Sequence, residues 1–194
     1  MVNNFKPTEK EALKLLARYA PDKHSYDAVL RHVKAVQKAA LMIVKDVDNT
    51  KCDKHLIKVA SLLHDIGRFD CPPNSGKDKI IQHGIVGSRI LKKEGWPKTY
   101  QRVCETHIGI GIRKKDIIEQ KLPLPLKDFV PRTFEEKIIA YADNLVDNDK
   151  IKDEKYVVER FRKEFGEEFA RRVERFHEDI NLLLAKKKKY SHGH

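Results

Sequence analysis

The stretch that decides the fold is Leu62-Leu63-His64-Asp65-Ile66-Gly67, in which a histidine and an aspartate stand between apolar residues. It closes the segment Asp53–Ile66, whose apolar residues recur every three or four positions, as they do on one face of a helix. Gly67 is the residue type that helices often use for a left-handed C-terminal turn. His64 and Asp65 are therefore predicted to lie in the last turn of a core helix.

Helical spacing of apolar residues continues on both sides of this stretch, and no segment alternates with a period of two. Thr8 with Glu11 and Thr133 with Glu136 have the spacing of a capping box, and Ser25 is placed to cap a long helix. The predicted helices cover 8–21, 25–47, 53–66, 80–91, 98–108, 133–145 and 154–185, the last as one helix or as a pair separated at Gly166. The fold class predicted is all-α.

A chain of 194 residues is expected to form one globular domain. Residues 1–24 are predicted to form an N-terminal helix that packs on the core, and residues 25–150 to form the core itself. Residues 151–194 are predicted to form C-terminal helices and a basic tail at Lys186–Lys189. The segments 68–77 and 122–125 are rich in proline or glycine and are predicted to be loops.

The composition is that of a soluble, helix-rich protein with a net charge of +11. This charge favours anionic partners such as nucleotides, phosphoesters or nucleic acid, although it also suits a surface that only keeps the protein soluble. The apolar stretches are too short to span a membrane, and Met1–Lys10 has no apolar signal segment. The chain has three cysteines, and their spacing is not that of disulfide partners or of metal ligands: Cys52, Cys71 and Cys104. Free thiols and a cytoplasmic location are therefore expected.

Four histidines fall in apolar helical contexts or at helix ends, namely His32, His64, His83 and His107. One such histidine alone is ordinarily a core residue, but four on several helices can converge on one metal in a bundle core. Asp143 adds a carboxylate on an otherwise apolar helical face, where it needs a cation to offset the cost of burial. The sequence therefore predicts a metal site.

The order of histidine, histidine-aspartate pair and downstream aspartate resembles the HD superfamily of metal-dependent phosphohydrolases, in particular its HDIG-type members. The resemblance covers about residues 25–149 and implies an HD-domain helical bundle with a C-terminal helical extension. In that family the matching residues hold one metal. The resemblance thus implies a first metal site formed by His32, His64, Asp65 and Asp143.

Members with two further histidines between the pair and the last aspartate hold two metals, and here His83 and His107 take those places. The resemblance implies a second site formed by Asp65, His83 and His107. The alternative is a single metal, with one of these histidines binding the substrate phosphate. The cyclic-dinucleotide branch has Gly-Tyr-Pro after the second of these histidines, whereas this chain has the run Gly109-Ile110-Gly111-Ile112-Arg113. Cyclic-di-GMP is therefore disfavoured as a substrate.

Imidazole and carboxylate ligands without thiolate suit one or two divalent ions of Mn, Fe, Ni, Co, Zn or Mg. Such a metal activates water, so no serine or cysteine nucleophile is required, and Asp65 is the expected catalytic carboxylate. Arg68 is the second candidate catalytic residue, as a cation that binds the substrate phosphate, or else an exposed helix-end cation. Lys77 and Arg113 are weaker candidates. Asp147, four residues after Asp143, is predicted to share its helical face and to orient a ligand or to pair with a lysine.

The function predicted first is a phosphohydrolase that cleaves a nucleotide or other small phosphoester with a metal-activated water. The alternative is a nuclease or a phosphodiesterase that acts on RNA or DNA. The second alternative is a non-enzymatic regulator that binds metal and nucleotide. The sequence leaves the oligomeric state open. No site role is expected for the remaining histidines, which are predicted to lie at a helix start, on charged surface stretches or in the tail: His24, His55, His177, His192 and His194.

Overall fold

The structure is a computed structural model, and it describes residues 6–189. The described helices and strands are α1 Glu9–Tyr19, α2 Lys23–Ile43, α3 Lys54–Ala60, α4 Lys77–Ile80, α5 His83–Lys93, α6 Lys98–Thr106, α7 Lys114–Glu119, α8 Phe134–Leu145, β1 Val146–Asp147, β2 Lys150–Ile151, α9 Glu154–Phe165 and α10 Glu167–Lys189. A 3₁₀ turn covers Ile66–Phe69. The all-α prediction is confirmed, since the two strands form only a small antiparallel hairpin.

The helix starts follow from short polar side chains that accept hydrogen bonds from free backbone amides. Thr8 and Glu11 form the predicted capping box at α1. The cap of α2 was wrongly predicted, because Asp22 takes that position and accepts a hydrogen bond from the backbone nitrogen of Ser25. A carboxylate is as good a cap as a hydroxyl, and here it lies three residues earlier. Thr133 caps α8 as expected.

The core lies between α2, α3, α5, α6 and α8, and α1 covers one side of it. Helix α2 packs along α8, α5 packs along α6, and α9 packs along α10. Fully buried side chains include Leu16, Val36, Leu63 and Ile139, which come from four separate segments. This arrangement brings the inner faces of α2 and α8 against the turns that follow α3.

Some elements differ from the sequence prediction. Helix α7 was missed, and a second small apolar cluster of Ile112, Ile117, Leu124 and Phe129 forms around it. Gly166 separates α9 from α10, as one of the two predicted options. The basic segment Lys186–Lys189, predicted as a tail, belongs to α10. His192 and His194 lie outside the described residues, and no helix within 6–189 is long and apolar enough to cross a membrane.

Candidate metal centre

His64 and Asp65 lie just beyond a helix rather than inside its last turn, so that prediction was wrong. Helix α3 ends at Ala60, and the chain then tightens into successive three-residue turns. The backbone nitrogens of Leu63 and Ile66 donate to carbonyls three residues earlier, and Arg68 does the same to Asp65. These tight turns allow the neighbouring side chains of His64 and Asp65 to reach the same cluster.

Gly67 serves a purpose other than the predicted left-handed turn, because its φ is not positive. A Cβ atom placed on Gly67 would lie 2.0 Å from the carbonyl oxygen of His83 and 2.7 Å from the nitrogen of Gly87. Glycine is required here because the backbone of α5 approaches this closely. The contact holds His83 next to the His64-Asp65 turn.

The first ligand group joins His32 on α2, His64 and Asp143 on α8. The Asp143 Oδ1 atom lies 3.0 Å from His32 Nε2 and 3.4 Å from His64 Nε2. His64 is fully buried, whereas the side chains of His32 and Asp143 are 24% and 18% exposed. The group therefore opens towards solvent on the side of His32 and Asp143.

The second ligand group surrounds Asp65. Its Oδ1 atom lies 3.2 Å from His83 Nε2 and 3.3 Å from His107 Nε2, and its Oδ2 atom lies 3.4 Å from His32 Nε2. Asp65 thus contacts ligands of both groups through its two oxygens. The described residues bring together all six side chains that the sequence proposed as ligands. The resulting histidine and aspartate cluster could hold a divalent metal.

The imidazole rings are oriented by backbone carbonyls three residues earlier. The Nδ1 atoms of His64, His83 and His107 lie 2.6–2.8 Å from the carbonyl oxygens of Ser61, Ile80 and Cys104. A carbonyl only accepts, so each Nδ1 must carry the proton and donate it. The neutral ring then presents an unprotonated Nε2 to the cluster.

These Nε2 atoms are poorly satisfied by the protein alone. His64 Nε2 is buried and has no hydrogen-bond partner among the described residues. The Nε2 atoms of His83 and His107 face each other at 2.9 Å, although each is an acceptor once its Nδ1 carries the proton. Two lone pairs at this distance repel unless a proton or a cation lies beside them. The donor set therefore fits a bound metal ion.

The charges of the cluster support the same conclusion. Burial would raise the pKa values of Asp65 and Asp143, but the charge of Arg68 beside Asp65 and the hydrogen bond from His32 to Asp143 oppose it, and both pKa values lie well below their ordinary range. Burial would lower the pKa of His32, yet its contacts with Asp143 and Asp65 raise it to about 9. Burial dominates at His107 and lowers its pKa. Both carboxylates are thus kept ionised, as metal ligands must be.

Arg68 is the predicted phosphate-binding residue that the structure places at the cluster. Its Nε atom lies 3.3 Å from Asp65 Oδ1, and its side chain is one-quarter exposed. Lys77 begins α4 and Arg113 precedes α7, and both are exposed. Their substrate-binding role stays a prediction.

Two predictions about nearby residues were wrong. Asp147 does not share a helical face with Asp143, because α8 ends at Leu145 and Asp147 lies in β1. Its carboxylate accepts a hydrogen bond from the Tyr156 hydroxyl at 2.7 Å. His177 is not on the surface but buried, with its ring edge against Tyr141.

Sequence reasoning also missed Asn144, which is buried directly after Asp143. Its signal was a second polar residue in the otherwise apolar stretch 138–146.

The chain matches a known protein family over most of its helical core. The profile described as HD domain matches residues 29–148, which is more than half of the chain. The chain belongs to the HD domain family. All six candidate ligands of this HD domain lie within the matched residues.

Some relatives carry names that point to RNA. A tRNA (cytidine(56)-2'-O)-methyltransferase of Picrophilus torridus is 36% identical over 180 residues, which cover 93% of this chain and 48% of the relative. The protein of that name in Thermoplasma volcanium is 35% identical over 178 residues, with 92% and 48% covered. The HD chain thus spans about half the length of these relatives. An uncharacterized protein of Methanocaldococcus jannaschii is 36% identical over 160 residues, with 80% and 89% covered.

Solved structures agree on the fold. The HD domain of the L. monocytogenes phosphodiesterase PgpH has a TM-score of 0.51 at 18% identity, and 93% of this chain and 99% of that domain are covered. The same domain in complex with cyclic-di-AMP gives a TM-score of 0.52 at 18% identity, with 94% and 98% covered. These likenesses establish the HD helical architecture.

Proposed function

We propose that this HD domain is a metal-dependent phosphohydrolase that cleaves a nucleotide or another small phosphoester. The observation that carries the proposal is the convergence of four histidines and two aspartates. The Nδ1 hydrogen bonds of His64, His83 and His107 turn the Nε2 atoms of these rings towards the cluster. Phosphoryl transfer to water needs charge neutralisation and positioning more than a protein nucleophile.

The ligands would divide between two positions that share Asp65. His32, His64, Asp65 and Asp143 would hold the first ion, and Asp65, His83 and His107 would hold the second. A divalent cation bound there supplies a water of lowered pKa and polarises the phosphoryl oxygens. The metal is Mn, Fe, Ni, Co, Zn or Mg, since all of these accept imidazole and carboxylate ligands.

The protein's own residues set the direction of substrate approach. The side chains of His83 and His107 are 3% and 2% exposed, so the substrate cannot reach the cluster from that side. The partly exposed side chains of His32, Asp143 and Arg68 mark the open side. Arg68 would bind phosphate oxygens there, because its planar guanidinium can donate two parallel hydrogen bonds.

RNA is the second candidate substrate. The net charge of +11 and the names of two relatives, which refer to tRNA, favour a phosphoester of RNA over other macromolecular substrates. The methyltransferase activity in those names belongs to proteins about twice as long. The proposal for this chain concerns only the HD portion that aligns with them.

The test is a hydrolysis panel in which purified protein is loaded separately with each divalent metal. Substrates are nucleoside mono-, di- and triphosphates, cyclic nucleotides, a generic phosphoester, and a short RNA and single-stranded DNA. We expect metal-dependent release of phosphate or nucleotide from a small substrate, and its loss in Asp143→Asn. Metal bound at full stoichiometry without hydrolysis of any substrate would favour the non-enzymatic regulator.

A further inference from the structure

Asn144 lies beside a proposed ligand and reaches across to the other ligand group. It follows Asp143 on α8 and is 4% exposed. Its Nδ2 atom donates to the carbonyl oxygen of Gly109 at 2.7 Å and to that of Ala140 at 3.0 Å. One side-chain amide therefore ties α8 to the loop that follows His107.

The identity of the residue is determined by these two acceptors. Both partners are carbonyl oxygens, so the side chain must present two N–H groups, which fixes the orientation of the amide. Aspartate has the same shape but would place one carboxylate oxygen, at the position of Nδ2, against both carbonyl oxygens. The backbone of Asn144 is also held, since Arg160 Nη2 donates to its carbonyl oxygen at 3.2 Å.

The loop needs an anchor because His107 stands at the end of a helix. Helix α6 ends at Thr106, and the chain turns through Gly109, whose φ is +57°. The backbone nitrogen of Gly111 donates to Ile108, and a single bridge links Ile112 to Phe129. Neither of these contacts reaches α8, and among the described residues the bond from the Asn144 amide to Gly109 is the hydrogen bond that joins this loop to that ligand-bearing helix.

We infer that Asn144 is a positioning residue that holds the His107 loop at a fixed distance from Asp143, so that the two ligand groups meet at Asp65. The catalytic part of this inference rests on the proposed function. The anchoring itself is a property of the metal-free protein and can be measured without hydrolysis.

The primary experiment compares Asn144→Asp with Gln37→Glu. Gln37, on α2, is a matched control, because it is 7% exposed and its amide nitrogen also donates to two acceptors, the Lys58 carbonyl oxygen at 2.6 Å and Glu9 Oε2 at 2.9 Å. Amide hydrogen exchange of Gly111 and Ile112 is followed in the metal-free proteins. We expect about tenfold faster exchange at these amides in Asn144→Asp, as a lost hydrogen bond of typical net strength allows, and no local change there in Gln37→Glu.

A milder variant covers the case in which Asn144→Asp does not fold. Asn144→Ser can keep a bond to the Ala140 carbonyl, as Ser61 does to Ile57 in this chain, while it loses the bond to Gly109. It should show the same local increase in exchange. Unchanged exchange at Gly111 and Ile112 in the folded variants would overturn the inference.

Metal content and kinetics supply the second readout. In the Asn144 variants we expect one equivalent of metal to be retained, affinity for the second to fall about tenfold or more, and kcat to fall with little change in KM. Full retention of both metals and of kcat would refute the positioning role. If wild-type protein hydrolyses nothing, the proposed function fails, whereas the exchange result still decides whether Asn144 anchors the loop.

Discussion

Asp65 is the residue on which the two ligand groups depend, because its two oxygens contact histidines of both. Asp65→Asn keeps the shape but removes the charge, so we expect loss of at least one equivalent of metal and a fall in activity of several orders of magnitude. Metal analysis and steady-state rates measure both. Asp116→Asn is the control, since Asp116 is also a buried carboxylate but lies outside the cluster. Equal metal content in wild type and Asp65→Asn would contradict the ligand assignment.

Variants of His83 and His107 distinguish a one-metal site from a two-metal site. If they hold a second ion, His83→Ala and His107→Ala should retain one equivalent of metal and lose activity by orders of magnitude. His177→Ala serves as the control, because it removes a buried imidazole that is not part of the ligand cluster and should lower stability without changing metal content. Full activity in both ligand variants would leave a single-metal site.

At the residue scale, the sequence predicted which side chains meet but not how they are oriented. Helical context and the order of His32, His64 and Asp143 sufficed to propose a shared metal. The carbonyls that orient the rings belong to Ser61, Ile80 and Cys104, and any residue type could supply them. No sequence pattern marks such a contact, so ring orientation had to come from the structure.

At the scale of elements, the closest approach is between α5 and the turn that holds His64. Gly67→Ala would place a methyl group 2.0 Å from the His83 carbonyl oxygen, so we expect destabilisation of about 3 kcal/mol or more. Gly95→Ala is a matched control with a positive φ and open space around it, and it should cost only about 1 kcal/mol. Urea unfolding of the three proteins measures the difference. Equal midpoints for the two variants would show that the close approach of α5 at Gly67 costs no more than the backbone strain at Gly95.

A buried ion pair joins two further elements, α7 and α10. Arg172 donates to both carboxylate oxygens of Asp116 at 2.8 Å. Burial would raise the pKa of Asp116, but Arg172 and the backbone of Arg113 outweigh it and lower the pKa. A carboxyl with a lowered folded-state pKa adds stability above its unfolded pKa of about 3.9, and this stability is lost as the pH falls through the folded value.

Thermal unfolding tests this linkage. Between about pH 5 and pH 2, the melting temperature of wild type should fall more steeply than that of Asp116→Asn, which has no proton to gain at this position. At pH 7 the variant should be the less stable of the two, because Arg172 is left buried without its partner. Parallel curves for the two proteins across this range would show that the pair contributes nothing to acid stability.

Element boundaries were the least predictable part of the fold. The sequence pattern around Asp53–Ile66 is helical throughout, yet α3 ends at Ala60. Residues 61–69 form tight turns instead of a regular helix. In these turns His64 and Asp65 face one cluster and Gly67 contacts α5. These are tertiary contacts, which local periodicity cannot report. Helix α7 was missed for a different reason, because its six residues are too few to show a helical period.

At the scale of the whole molecule, the all-α class and the approximate position of every long helix followed from apolar spacing alone. A long amphipathic helix has one way to bury its apolar stripe, so its existence is predictable from sequence. Which helices pack together depends on side-chain fit between distant segments, as between α2 and α8. That pairing is what brings His32 next to Asp143.

The charge of the whole molecule gives the test that separates the two substrate classes. An RNA held through several phosphate contacts releases a counterion at each, so its affinity should fall steeply between about 50 and 200 mM salt. A mononucleotide with one or two contacts should lose far less. We expect the shallow dependence, because the open side of the cluster offers one arginine, Arg68, at hydrogen-bonding range of a proposed ligand among the described residues. KM measured against salt for both substrates decides the point. A steep slope with cleavage of RNA would instead mean that the charge of +11 acts along an extended strand, and would place RNA first.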